Sequence, residues 1–242
     1  MTPSFSFSHR GYCDICETAV LFHSDYSWFR DHLVCSGCGS VPRERALMSV
    51  LRHYFPKYRS LSIHESSPCN RGVSPKLERE CRRYTFSHFF PEIPLGKKHP
   101  VRNERCESLE ALTYPSNCVD LVITQDVLEH VFDPAAAFRE IARVLKPGGA
   151  HIFTVPLVNK TSPSEPRARM DGSGNVTYLK EARFHGNPVD DRGSLVTMDW
   201  GYDISSFINE ASGLATHMIT IDDIDRGIRA EFIEVLASFK RA

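Results

Sequence analysis

The chain has 242 residues, 41% of them hydrophobic and 24% charged, which excludes collagenous, disordered and mucin-like classes. Its 29 Lys and Arg nearly balance its 30 Asp and Glu, for a formal charge of −1, which argues against bulk attraction to nucleic acid or anionic lipid. No apolar run approaches the roughly 18 residues that span a bilayer. The N-terminal MTPSFSFSHRGY lacks the basic and apolar regions of a secretory signal, so a cytoplasmic protein without membrane attachment is expected.

Cys13, Cys16, Cys35 and Cys38 form C-x2-C-x18-C-x2-C, whereas Cys69, Cys81, Cys106 and Cys118 are scattered. Each short knuckle presents two thiolates, and two knuckles complete a tetrahedral zinc shell. A metal-free pair of turns or a redox C-x2-C are the alternatives, and the doubling favours zinc. His23 and His32 lie between the knuckles and read as surface residues. Four thiolates close the shell, so the zinc is structural. Residues 1–45 are too few for a core of their own and read as a metal-stabilised module before a domain at 46–242.

Val41-Pro42-Arg43-Glu44-Arg45 opens a helix with Leu47, Val50, Leu51 and Tyr54 at i, i+3, i+4, i+7. From about Tyr58, strands alternate with helices, the signature of a parallel α/β sheet. Leu61–His64 is a first strand, 75–83 a helix, Tyr84–Phe86 a second strand, and Cys118–Thr124 an apolar central strand. Asp133 reads as an N-cap and Pro134 as the first residue of a helix with Phe138, Ile141, Ala142 and Leu145 on one face. Lys146-Pro147-Gly148-Gly149 stops it, and His151–Leu157 is the next strand. Residues 159–177 lack periodicity and read as a long loop. A helix around Ile204–Ala211 ends at Gly213. Leu214–Ile221 and Ala230–Lys240 suit an antiparallel pair at a sheet edge.

The stretch Asp120–Pro156, DLVITQDVLEHVFDPAAAFREIARVLKPGGAHIFTVP, closely resembles the fourth-to-fifth-strand region of class I S-adenosylmethionine-dependent methyltransferases of type 11. A strand ending in a polar loop, an L-E-H-V helix start and L-K-P-G-G all recur at the family's spacing. The resemblance extends over residues 58–242 and implies a Rossmann-like fold: a mostly parallel seven-stranded sheet with an antiparallel final strand, plus the small zinc module. It implies S-adenosylmethionine as cofactor, bound outside the carboxyl ends of the strands. Carried over by position, Glu107 would accept from the adenine amine, with Ser108 beside it. Gln125 and Asp126 would close strand four over the cofactor.

The family's G-x-G-x-G loop is here His64-Glu65-Ser66-Ser67-Pro68-Cys69-Asn70-Arg71-Gly72. Ser66, Ser67 and Pro68 can still turn the chain, and Glu65 can take the cofactor's amine. The acid that grips the ribose after strand two is missing, and Ser87 and His88 stand in its region. Arg43 and Arg45, at the helix after the zinc module, are candidates for the cofactor's carboxylate.

Methyl transfer depends on placing the acceptor in line with the activated methyl, with a base where the acceptor carries a proton. His130 and His185 are the candidates for that base, with Asp126 and Glu129 beside them. Asp190, Asp191 and Asp199 could bind a polar or cationic acceptor. Residues 159–188 form the expected lid over that acceptor.

The expected function is methyl transfer to a small molecule, such as a sugar or biosynthetic intermediate, by a monomer or homodimer. One alternative is an RNA methyltransferase reading RNA through the zinc module. Residues 1–57 carry six basic and five acidic side chains, which argues against it, but 71–105 carry nine and four, which keeps nucleic acid open as a partner. A non-catalytic scaffold that kept the fold is the third reading.

Overall fold

The computed structural model describes residues 5–187, 189 and 192–242. Pro188, Asp190 and Asp191, weighed above, lie outside the described residues. The N-terminal module is a three-stranded antiparallel sheet of β1 (Phe7–Cys13), β2 (Thr18–Ser24) and β3 (Val34–Cys35), with a single turn of helix, α1 (Phe29–His32), before β3.

Helix α2 (Pro42–Tyr54) follows at once, its Pro at the first turn where no N–H partner is needed. Then come β4 (Ser62–Ser66), α3 (Val73–Glu80), β5 (Arg83–Ser87), β6 (Val119–Gln125), α4 (Pro134–Val144) and β7 (Leu145–Thr154). The chain ends with α5 (Ile204–Ser212), β8 (Ala215–Ile219) and β9 (Val235–Phe239).

The main sheet has the order β8-β9-β7-β6-β4-β5. Strands β5, β4, β6 and β7 run parallel, and β9 is antiparallel to both its neighbours. This is a Rossmann-like methyltransferase fold with a six-stranded central sheet, not the seven strands expected. The missing strand belongs between β5 and β6, where a lone parallel bridge joins His88 to Cys106. Pro91, Pro94, Pro100 and Pro115 interrupt that stretch, and each removes a ladder donor.

The local signals explain the elements. Asp133 caps α4, its Oδ1 accepting the Ala136 N–H at 2.9 Å, and Phe138, Ile141 and Val144 are buried against the sheet. Gly213, at φ 74°, ends α5 in the left-handed conformation that glycine adopts without strain. Helices α4 and α5 cover one face of the sheet and α2 and α3 the other. The α2 face is one continuous core that also includes Cys13, Ile15, Phe22, Leu33 and Cys35 of the N-terminal module. The module is therefore packed into the domain.

The described residues between 159 and 201 are more ordered than a loop. Three short antiparallel ladders pair Glu165–Pro166 with Met198–Asp199, Ala168–Met170 with Val176–Tyr178, and Phe184–His185 with Ser194–Leu195. A buried ion pair, Arg167 to Asp199 at 2.7 Å, holds this cap together. Among the described residues no helix is long and apolar enough to cross a membrane.

Candidate functional site

The four N-terminal sulfurs converge. Cys13 and Cys38 Sγ stand 3.9 Å apart, Cys16 and Cys35 Sγ 3.8 Å, and all four lie within 4.8 Å of one another. Sulfurs bound tetrahedrally at about 2.3 Å from one zinc ion stand roughly 3.8 Å apart. The backbone N–H groups of Cys16 and Gly37 point at the sulfurs of Cys13 and Cys35, at 3.5 and 3.4 Å. A Cβ on Gly37 would lie 2.9 Å from Cys16 Sγ, so the knuckle needs glycine there.

The module reaches the end of the sheet at two points. Gly72 donates its N–H to Cys38 O at 3.4 Å, and Arg71 pairs with the buried Glu44 at 3.0 Å, so the second knuckle and α2 grip the β4–α3 loop. Gly72 has φ 64°, and a Cβ there would strike Glu44 Oε2 at 2.4 Å. Arg30 and Arg43 extend over the carboxyl end of β6 to Asp126 Oδ2, at 2.7 and 2.9 Å, and both also reach Asp31. Asp126 completes its shell with Thr154 Oγ1 at 3.0 Å, and the two arginines outweigh burial to hold its carboxyl far below the usual range. At φ 52° it occupies the strained left-handed region just where β6 ends.

Arg45, two residues from Arg43, faces elsewhere. Its fully buried guanidinium donates to the carbonyls of Leu33 at 2.8 Å, of Gly227 at 2.7 and 3.0 Å, and of Ser40, and it lies 4.6 Å over the Phe22 ring. It fastens the module to the C-terminal turn, whereas Arg43 reaches Asp126 at the end of β6.

The strand ends carry a row of polar groups. Ser66 is in register with Ser87 and Thr124, and Gln125 with Thr154. Ser67, at φ 56°, makes the turn that a glycine would make, its N–H donating to Ser87 O at 2.8 Å, and Pro68 follows half-buried. Glu65 is fully buried and accepts from Ser74 Oγ, Tyr84 Oη and Gln125 Nε2 at 2.7–2.8 Å, a closed network that ties β4, α3, β5 and β6. Burial raises its carboxyl, and its three donors partly offset this. Ser87 Oγ is bound to His64 Nε2 at 3.2 Å.

Two buried polar atoms in this row have no hydrogen-bond partner among the described residues: His88 Nδ1 and Gln125 Oε1. Glu107 is committed to its own loop, with Arg105 Nε at 2.6 Å, Thr113 Oγ1 at 2.5 Å and Thr113 N at 2.8 Å. Ser108 Oγ caps Glu110 N at 3.2 Å.

Beyond Asp126 the chain enters a cavity of about 200 Å³ lined by Trp28, Glu129, His185, Met198, Asp199 and Phe232 among others. His130 and His185 meet at its edge, with ring centroids 5.4 Å apart, although one follows β6 and the other comes from the cap. His130 Nδ1 bonds Leu195 O at 2.8 Å, and burial lowers both imidazoles. Thr197 and Met198 donate their N–H groups to Glu129 O, zipping the cap to this segment. Glu129 is 1% exposed, and neither of its carboxylate oxygens has a hydrogen-bond partner among the described residues. Burial, then Asp126, raises its carboxyl well above the ordinary range. Sequence reasoning did not single out Trp28, Arg30, Asp31 or Phe232. They arrive from distant segments, and no spacing marks them.

Residues 71–153 match the family described as a methyltransferase domain. An uncharacterized methyltransferase of Schizosaccharomyces pombe is 46% identical over 140 residues, covering 55% of this chain and 42% of its own length. The ubiquinone/menaquinone biosynthesis C-methyltransferase UbiE of Hydrogenovibrio crunogenus is 32% identical over 120 residues, covering 43% of this chain and 46% of its own. The chain thus spans less than half the length of these two relatives.

Among solved structures, an S-adenosylmethionine-dependent methyltransferase from Mesorhizobium loti superposes with a TM-score of 0.51 at 19% identity, over 81% of this chain and 98% of that one. A chain from the Haloferax volcanii complex of the Trm112 methyltransferase activator with a methyltransferase gives 0.51 at 16%, over 83% and 90%. These likenesses agree with the fold read from the strand order.

Proposed function

We propose that this chain transfers a methyl group from S-adenosylmethionine to a small-molecule acceptor held in the cavity between Glu129, His185 and Trp28. The cofactor lies across the carboxyl ends of β4, β5 and β6, where open α/β sheets bind ligands. The residues there fit it: His88 Nδ1 and Gln125 Oε1 are buried polar atoms that lack a partner, and a ligand with hydroxyl and amine groups supplies one. Ser66, Ser67, Pro68 and Ser87 shape the cradle, and Asp126 with Arg43 marks the end nearest the acceptor. Glu107, Ser108, Glu65 and Arg45 support this frame from outside the contact set. The cofactor supplies a methyl already activated on sulfonium, so the protein's part is alignment and exclusion of water. His130 and His185 flank the acceptor.

The observation that carries this reading is the cavity itself, which adjoins the end of β6 and is enclosed by a cap. Its volume of about 200 Å³ suits a small acceptor. Five of the nine basic side chains at 71–105, Arg71, Lys76, Arg79, Arg102 and Arg105, pair with a glutamate, which lowers the charge this stretch offers a polyanion. Cys13, Cys16, Cys35 and Cys38 hold one structural zinc ion that orders the module against the β4–α3 loop.

Transfer of labelled methyl from S-adenosylmethionine should be measured against two pools, a low-molecular-mass cell extract and total RNA. Label in the first pool, lost in Trp28→Ala, is the expected result. Label confined to RNA contradicts the small-molecule assignment, and label in neither supports the non-catalytic scaffold.

A further inference from the structure

We propose that Glu129, His130 and His185 bind a divalent metal ion at the wall of the cavity, separate from the four-cysteine site. One ligand atom from each lies within 4.8 Å of the others. Glu129 Oε1 stands 3.8 Å from His130 Nε2 and 3.9 Å from His185 Nδ1. These distances are too long for hydrogen bonds, but two donors each about 2.1 Å from a shared ion stand roughly 3–4 Å apart.

The surroundings are built for ligation. Glu129 is buried with both carboxylate oxygens lacking a hydrogen-bond partner among the described residues, although its own backbone carbonyl accepts from Thr197 and Met198. A carboxylate stripped of water and partners is costly, and an ion shared with two imidazoles removes that cost. His130 Nδ1 is held by Leu195 O at 2.8 Å, which fixes that nitrogen as the N–H and turns the Nε2 lone pair toward Glu129. Such a carbonyl contact orients metal-bound histidines generally.

Two imidazoles and one carboxylate suit a borderline divalent ion such as Mn2+, Fe2+, Co2+ or Zn2+, and three protein ligands leave coordination positions open. Glu129 and His185 both line the cavity, so the open positions face it. The ion would take an oxygen donor there, a hydroxyl or carboxylate of the acceptor. His185 belongs to the cap and Glu129 and His130 to the segment after β6, so the ion would also fasten the cap down. The ion's role toward an acceptor rests on the proposed function above, whereas its binding does not.

The test is a titration of the full-length, zinc-loaded chain with Mn2+, following loss of the free-ion electron paramagnetic resonance signal. Wild type should bind one equivalent. Glu129→Gln and His185→Ala should each weaken binding by at least roughly tenfold while retaining their thiolate-bound zinc. Glu129→Gln is isosteric and His185 is half-exposed, so both variants should fold. Absence of Mn2+ binding up to millimolar concentration, or equal binding in wild type and both variants, overturns the proposal. Binding of S-adenosylhomocysteine, measured in parallel, reports on the methyltransferase reading and separates its failure from this one.

Discussion

Replacing Arg45 with Met keeps most of the side-chain stem and removes the guanidinium from a fully buried position. The carbonyls of Leu33, Ser40 and Gly227 lose a charged donor. Ser40 O keeps the Cys35 N–H at 2.9 Å, so the loss falls on Leu33 and Gly227. Each buried acceptor left unpaired costs about 1–3 kcal/mol. The lost stacking on Phe22 adds roughly 0.5–2 kcal/mol. Against this, the variant avoids desolvating a cation that has no carboxylate in contact among the described residues.

The net expectation for Arg45→Met is a destabilisation of about 2–4 kcal/mol, a large fraction of typical domain stability. Urea unfolding followed by circular dichroism measures it as a fall in midpoint at constant slope. Affinity for S-adenosylhomocysteine should stay unchanged under conditions where the variant is folded. A variant as stable as wild type that binds the nucleoside more weakly would return Arg45 to the cofactor and refute its structural role.

Cys35→Ser should release about one equivalent of zinc and lower the melting temperature, because the tetrahedral shell is opened; full metal content by plasma mass spectrometry would contradict it. Burial lowers His64 from 6.5 to about 4, while Glu107 and Arg105 nearby oppose each other. The unfolded chain therefore binds the proton first as pH falls, and on the order of 3 kcal/mol of stability is lost between those values. His64→Leu should lose less stability over that interval in denaturant titrations, and parallel curves for the two proteins would rule the effect out. Arg167→Leu leaves Asp199 without its 2.7 Å partner in the cap, so residues 159–199 should become sensitive to limited proteolysis while the sheet stays intact. Unchanged cleavage would show that the ladders and the remaining Lys180–Asp199 pair hold the cap without Arg167.

Helix α4 and strand β6 were legible because their signals are local: a capping Asp133, a Pro134 that fits the first turn, and an apolar face at helical spacing. The convergence of the four cysteines was legible for the same reason, since the doubled C-x2-C spacing favours one shared site. Arg43 and Arg45 show where such reading stops. Two positions along a helix turn the side chain by about 200°, so the two point apart, and only the packing shows that Arg43 reaches Asp126 while Arg45 turns to the carbonyl of Gly227.

The seventh strand was expected from family resemblance alone, and the prolines at 91, 94, 100 and 115 in the stretch between β5 and β6 disfavour it. The cap's two- and three-residue strands fall below any periodicity window, so the segment read as a loop. His130 and His185 were named from residue chemistry. Their meeting, and the isolation of Glu129 beside them, depends on the cap folding back over the end of β6.

The central claim is that the carboxyl ends of β4, β5 and β6 bind the cofactor, and calorimetric titration with S-adenosylhomocysteine tests it most directly. One molecule should bind per chain, and His88→Ala should weaken binding by about 1–2 kcal/mol, because Nδ1 of that buried ring has no hydrogen-bond partner among the described residues and would gain one from the ligand. No heat of binding at millimolar nucleoside, or wild-type affinity in His88→Ala, would contradict the account.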